Sequence, residues 1–251
     1  MPTLLPGKFV WFEHVSSDHK KAQAFYGEVL GWKVEGSPMG DFTYEMIQTP
    51  SGAIGGYAAP QAGEAAHWIS YVSVANVDAA AKKVVAAGGK QHGDAFDIPT
   101  VGRMARVSDP FGARFNLFTG SRDDAADVAK RPLGHFDWNE LLSPEPARAA
   151  AFYEQALGYT QSTMPMPNGT YYILEQSGAP RAGVMQTPVP QLPSHWLQYL
   201  VVDDTDSAAA RATRSGGRVA MPAMDVPDIG RFAVLVDPLG AAFGVIKPAA
   251  K

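Results

Sequence analysis

Two α+β domains in tandem, each built from two β-α-β-β-β modules that form a curved mixed sheet around a cleft, are the architecture this sequence predicts. Three observations lead there. The stretch WFEHVSSDHKKAQAFYGEVLGW, Trp11 to Trp32, returns in large part as WNELLSPEPARAAAFYEQALGY, Trp138 to Tyr159. Phe25 and Phe152 stand 127 positions apart, and Asp109 and Asp237 stand 128 apart. An offset that drifts by one residue over so long a repeat is duplication, and the repeat is far longer than a solenoid period. Finally, both copies carry the same turn, Asp109-Pro110-Phe111-Gly112 and Asp237-Pro238-Leu239-Gly240. Asp first, Pro second and Gly fourth suit a type I turn, so each copy ends in a hairpin.

In chain order, Phe9–Val15 alternates with period 2, placing Trp11, Glu13 and Val15 on one face of a strand. Ser17 or Asp18 then offers a capping oxygen, and Ala22, Phe25, Tyr26, Val29 and Leu30 recur at helical spacing up to Gly31. Short β-like runs follow at Trp32–Glu35, Phe42–Gln48 and Ile54–Ala58, parted by turn residues. The order repeats: strand Trp68–Val74, helix Val77–Ala87 opened by Asn76 or Asp78, then strands near Lys90–Phe96, Arg103–Val107 and Arg114–Phe118. The second copy replays it, with strand Phe136–Leu142, a helix over Pro144–Leu157 capped by Ser143 and Gly158, and a later helix over Asp206–Ser215. Residues 1–120 and 132–251 are the expected domains and 121–131 the linker, within which DDAADVAK has the composition of a short helix. The segments SPMG at Ser37 and STMPMPNG at Ser162 are expected as loops at the cleft mouths.

Composition narrows the function. The 251 residues carry a formal net charge of −4, with no basic excess to hold a phosphate backbone, so nucleic acid is not the expected partner. With no cysteine, thiolate metal sites, disulfides and cysteine nucleophiles are excluded. No cleavable signal and no apolar stretch of roughly 20 residues is present, so a cytoplasmic protein without membrane contact, monomeric or homodimeric, is expected.

Glu13 and Glu140 share a strand face with Trp11 and Trp138, and this points both carboxylates into the expected clefts. A carboxylate in aromatic surroundings serves as an acid or base, or receives a cationic or hydroxylated ligand. The bland alternative is a structural carboxylate bonded to Arg103, Arg231 or backbone N–H groups. Trp11, Trp138, Tyr71 and Tyr199 read either as flat walls of a ligand site or as core. His67 and His195 are expected to bond locally, and His14, His19, His92 and His135, which lack counterparts in the other copy, to lie at the surface or at strand edges. Glu13 and His14 point to opposite faces of one strand and cannot share an ion, and His135-x-Asp137 has no third ligand in sight.

With AFYGEVLGW and AFYEQALGY, VDAAAKKVVAAGG and TDSAAARATRSGG, and DPFGARFNLF and DPLGAAFGVI in place, the chain resembles the vicinal oxygen chelate superfamily. That superfamily includes glyoxalase I, bleomycin-resistance proteins and extradiol dioxygenases. The two Trp-x-Glu strands, the His-Trp pairs and the Gly-Arg pairs are most similar to its two-domain actinobacterial glyoxalase-like, or hydroxylase, members. The resemblance implies tandem glyoxalase-like domains and, in catalytic members, a divalent metal held by His, Gln or Glu at four strand positions. Carried over, those positions fall on Trp11, about Gly55, about Ile69 and Asn116, and on Trp138, about Gly183, about Leu197 and Gly244. Only Asn116 offers a side-chain oxygen, so no metal and no other cofactor is expected, with a divalent metal as the alternative. The expected function is metal-free binding of a small, flat or aromatic molecule by Trp11, Tyr71, Asn116, Arg103, Trp138, Tyr199 and Arg231, oriented by Glu13 or Glu140. The rivals are a metal-dependent lyase or dioxygenase, and a metal-free enzyme using Glu13 or Glu140 as acid or base.

Overall fold

Residues 2–167, 169–189 and 191–249 are described by the computed structural model. Strand β1 (Phe9–Val15) leads into α1 (His19–Leu30), which starts at Asp18, whose carboxylate accepts the Lys21 N–H. It stops at Gly31, where φ is 73°, a left-handed cap that glycine adopts without steric cost. Ala22, Phe25, Tyr26 and Val29 form its buried stripe. Then come β2 (Lys33–Met39), β3 (Phe42–Thr49), β4 (Gly52–Ala58), β5 (His67–Ser73) and α2 (Val77–Ala86), capped by Asn76. The strand expected over Lys90–Phe96 is broken into β6 (Lys90–Gln91) and β7 (Phe96–Ile98) around Gly93, where φ is 80°. β8 (Gly102–Ser108) and β9 (Arg114–Gly120) complete the first copy.

The second copy contains β10 (Phe136–Ser143), α3 (Pro146–Leu157), β11 (Thr160–Met166), β12 (Gly169–Gln176), β13 (Ala179–Gln186) and β14 (His195–Val201). It ends with α4 (Thr205–Arg214), β15 (Arg218–Val226), β16 (Gly230–Val236) and β17 (Ala242–Pro248). The first copy's strands make a nine-stranded mixed sheet in the order β2-β3-β4-β1-β5-β9-β8-β6, with β7 paired to β8. The second copy's make an eight-stranded sheet in the order β11-β12-β13-β10-β14-β17-β16-β15. The α+β class and the duplicated β-α-β-β-β modules are those the sequence predicts. Among the described residues no helix is long and apolar enough to cross a membrane.

Three local expectations are corrected. Helix α3 begins at Pro146 rather than Pro144, because Ser143 is the last residue of β10 and its hydroxyl accepts the Glu145 N–H. The proline at the first helical position is therefore Pro146. Residues 37–39 and 162–166 are strand, not loop, while Asn168 lies outside the described residues: Pro38 pairs with Thr43 in β2–β3, and Pro165 with Thr170 in β11–β12. Both β2 and β11 are end strands, where a proline's missing N–H costs no ladder bond. DDAADVAK forms no helix. Its carboxylates are taken by other partners: Asp123 and Asp124 accept the N–H groups of Thr3 and Leu5, each at 2.6 Å, and Ser73 donates to Asp124. Lys8 donates to the Ala125 carbonyl and reaches Asp127 at 2.9 Å, and Arg181 reaches the same carboxylate at 2.8 Å.

Packing divides the chain into two units that do not coincide with the copies. One comprises the chain up to Trp11, Ile69–Asp127 and Trp138–Trp196; the other comprises Phe12–Trp68, Val128–Asp137 and the chain from Leu197 on. Each unit thus joins half of one copy to half of the other. In the first, α2 packs on α3, and Tyr153 meets Trp196 edge-on at 5.3 Å. In the second, α1 packs on α4, and Tyr26 stacks on Trp32 at 5.2 Å.

Both units centre on the turn aspartate. Asp237 Oδ1 accepts from the Leu239 and Ala241 N–H groups, while Oδ2 accepts the Tyr26 hydroxyl at 3.1 Å and lies 2.6 Å from His14 Nε2. His14 is therefore fully buried against a carboxylate on a central strand, not at the surface or a strand edge as expected. Asp109 repeats the capping and meets the Tyr153 hydroxyl at 3.4 Å, but the position equivalent to His14 is Leu141. Burial raises the Asp109 carboxyl to about 6, against the pull of its backbone N–H partners. Burial is the largest influence at Asp237 and works against ionisation, yet His14 and the Leu239 and Ala241 N–H groups together outweigh it and the net shift is downward.

Because the folded form binds the Asp109 proton more tightly than the unfolded chain, stability contributed at low pH is lost as pH rises through about 6. Asp109→Asn, which keeps the turn acceptor without the charge, is expected to stabilise the protein at pH 8 by about 1–3 kcal/mol. At pH 4 the gain should nearly vanish, and Asp237→Asn should destabilise at pH 8; urea unfolding at the two pH values checks both. The side chains of Lys8 and Arg181 are only 6% and 5% exposed. Asp127→Ala leaves both cations facing no carboxylate, and a loss of about 2 kcal/mol is expected in the same assay.

Candidate functional site

Period-2 alternation puts Trp11 and Glu13 on one face of β1 and Trp138 and Glu140 on one face of β10. What stands beside each glutamate is set by the neighbouring strands. Glu13 is in parallel register with Gly56, and Glu140 with Gly183. A Cβ on Gly56 would lie 2.2 Å from the Tyr44 hydroxyl oxygen, and one on Gly183 would lie 1.8 Å from that of Tyr171. Only glycine leaves room for a tyrosine ring across the strand. That ring delivers its hydroxyl to the carboxylate: Tyr44 donates to Glu13 Oε1 at 2.6 Å, and Tyr171 donates to Glu140 Oε1 at 3.0 Å.

In the second copy the arrangement continues outward. Trp138 Nε1–H donates to the Tyr171 oxygen at 2.8 Å, so indole, phenol and carboxylate form a chain of donors ending on Glu140. Burial and then the Glu140 charge hold the Tyr171 phenol far above its ordinary range, so it remains protonated. Glu140 is 9% exposed, while Glu13, Trp11 and Trp138 are half-buried. Tyr44 and Tyr171 escaped the sequence reading. The signal was present: Thr43-Tyr44 and Thr170-Tyr171 stand at the same 127-residue offset as the glutamates, as do Gly56 and Gly183.

The other candidate residues lie in separate places. Tyr71 is in parallel register with Asn116, and both are buried. The Asn116 Oδ1 has no hydrogen-bond partner among the described residues. Tyr199 is in register with Gly244, and its ring covers that glycine so closely that a Cβ there would sit 2.3 Å from it. Arg103 does not bond Glu13: it grips Asp78 through Nε and Nη2, both at 2.9 Å, and Asp97 through Nη1 at 3.0 Å. Arg231 repeats this with Asp206 and Asp225. Both arginines thus tie the first turn of a helix to a neighbouring hairpin. His67 and His195 bond the carbonyls of Ala65 and Pro193. A surface depression of about 490 Å³ at Asp225, Arg231 and Lys247 is lined by none of the glutamate–tyrosine residues.

Beside the positions carried over by resemblance, the strand register pairs Glu13 with Gly56 and Tyr71 with Asn116 in the first copy, and Glu140 with Gly183 and Tyr199 with Gly244 in the second. Among the described residues no three His, Asp or Glu side chains cluster as ligands. Each strand-face glutamate is met by an uncharged phenol, and the facing strand supplies glycine. One carboxylate with neutral oxygens is a poor match to the donor set of a divalent metal enzyme.

Comparison with known proteins agrees with the duplication. Residues 8–50 match the bleomycin resistance protein-like N-terminal family, and residues 138–246 match the glyoxalase-like domain. The protein CFP32 of Mycobacterium tuberculosis, named as a glyoxylase, is 39% identical over 247 residues, covering 95% of this chain and 94% of its own. The anthracycline biosynthesis protein DnrV of Streptomyces peucetius is 29% identical over 264 residues, covering 98% and 95%. Among solved structures, the Mn(II)-bound glyoxalase of Novosphingobium aromaticivorans superposes with a TM-score of 0.68 at 18% identity, over 97% of this chain and 83% of that one. The 2,2',3-trihydroxybiphenyl 1,2-dioxygenase of Sphingomonas wittichii strain RW1 does so with 0.63 at 15% identity, over 98% and 91%. At such identities the structural likeness speaks for the fold alone. The chain belongs to the glyoxalase and bleomycin-resistance family of the vicinal oxygen chelate superfamily.

Proposed function

We propose that the protein binds a small, flat aromatic molecule at its glutamate–tyrosine sites without the superfamily's metal centre. One observation carries this reading: in both copies the strand-face glutamate is satisfied by a tyrosine hydroxyl lodged over a glycine, 2.6 Å away at Glu13 and 3.0 Å away at Glu140. Such a place receives a hydrogen-bond donor on a planar ring, with the Trp11 and Trp138 faces adding stacking area. The relative named as an anthracycline biosynthesis protein makes flat polycyclic aromatics the first class to test. Capture is by equilibrium binding: ring burial supplies the affinity and the carboxylate sets the orientation. The partner is a small molecule.

A second reading is favoured by the Trp138–Tyr171–Glu140 chain. Donors aligned on a carboxylate are also what a metal-free acid–base catalyst requires, with Glu140 taking a proton from a bound carbon acid. The metal-dependent rival, a lyase or dioxygenase such as the solved relatives' names describe, would require donors beyond one glutamate per strand face.

Tryptophan fluorescence titrated with hydroxyanthraquinones checks the main reading. Quenching that saturates equally in chelator-treated and untreated protein is expected, with affinity reduced about tenfold in Glu13→Gln/Glu140→Gln. Binding that appears only with stoichiometric manganese, iron, zinc or nickel would overturn it. Turnover that survives chelation and disappears in Glu140→Gln would instead establish the acid–base reading.

A further inference from the structure

The tyrosine over each glycine indicates what the ligand offers the glutamate. We propose that Tyr44 and Tyr171 are internal stand-ins for the ligand, and that a phenolic hydroxyl on a flat ring displaces the tyrosine hydroxyl from Glu13 or Glu140. This rests on the reading that the sites bind planar aromatics, and it adds the functional group that is recognised.

Two features support it. The occupant already in place is a phenol, and its bond to Glu13, at 2.6 Å, is as short as charge-assisted bonds become. Exchanging one phenol–carboxylate bond for another keeps the carboxylate satisfied, and the ring area buried by the incoming ligand adds to the binding. A molecule that cannot donate would instead leave the carboxylate stripped of that bond, a loss large enough to reject it. In the second copy the test is two-sided. The Tyr171 oxygen accepts from Trp138 Nε1–H and donates to Glu140, so its replacement has to accept and donate through a single atom. A hydroxyl does both, whereas an ether cannot donate and an ammonium cannot accept.

The motif recurs although its surroundings have diverged. Met46 and Ile173 replace one another, as do Ala53 and Pro180, while glutamate, tyrosine and glycine are the same in both copies.

The test uses the full chain with 2,6-dihydroxyanthraquinone and 2,6-dimethoxyanthraquinone, followed by fluorescence or calorimetry. The wild-type protein is expected to bind the dihydroxy compound at least about tenfold more tightly than the dimethoxy compound. In Tyr44→Phe/Tyr171→Phe the ring still covers the glycine but the competing hydroxyl is gone. Its affinity for the dihydroxy compound is expected to rise severalfold, with little change for the ether. Weaker binding of the dihydroxy compound by this variant would show that the tyrosines hold the carboxylate for the ligand instead of yielding to it, and would overturn the proposal. Equal affinity of wild type for the two compounds would overturn it as well, and does so even if the double variant fails to fold. Should neither compound bind the wild type, the planar-ligand reading falls, and this inference with it.

Discussion

A carboxylate set among aromatic side chains needs hydrogen-bond donors brought to it, and at Glu13 and Glu140 a phenol is one of them. Much of the local structure follows from that requirement. The strand beside each glutamate carries glycine at the facing position, because any Cβ there would collide with the tyrosine that answers the charge. The tyrosine in turn stands two residues from the position paired with that strand, on the middle strand of a three-stranded run, with its ring directed across its neighbour. Glutamate, glycine and tyrosine therefore form one arrangement, repeated in both copies.

The same logic operates in the core. Each turn aspartate closes its hairpin with one oxygen and meets a buried tyrosine with the other. Where His14 is added the carboxylate gains a hydrogen-bond partner, and where Leu141 stands in its place it does not, so the two copies have settled the same desolvation problem differently. Since His14 and Asp237 are separated by 223 residues, the pair ties the first strand of the chain to its last hairpin. Divergence after duplication has thus affected the interior at least as much as the face that bears the glutamates.

What could be read from the sequence was whatever is encoded locally. Asp18, Asn76, Gly31 and Gly158 announce helix ends through short-range capping, and Phe9–Val15 announces a strand through alternation. Glu13 and Glu140 emerged because alternation places them with tryptophans and duplication displays them twice. The end strand β2 emerged only as far as Glu35, and the Pro-bearing part of β11 reads as a loop: β11 is exposed along its whole length, so no buried face imprints a period on its residues. Tyr44 and Tyr171 stayed hidden because their significance depends on a glycine two strands' worth of sequence away. The pairing of His14 with Asp237 carries no short-range signature at all. Residue type alone suggested that Arg103 and Arg231 were free to bind a ligand, and only the structure shows their guanidinium groups held by two aspartates each.

The central claim is that these strand-face glutamates serve an organic hydroxyl rather than a metal ion. It is tested most directly by electron paramagnetic resonance of Mn(II) titrated into chelator-treated protein at neutral pH. The signal of free aquo-manganese is expected to keep its full intensity at micromolar protein and metal, with no difference between wild type and a Glu13→Gln/Glu140→Gln variant. Loss of that signal in proportion to protein, restored by removing the two glutamates, would contradict the claim and place a metal where a phenol has been assigned.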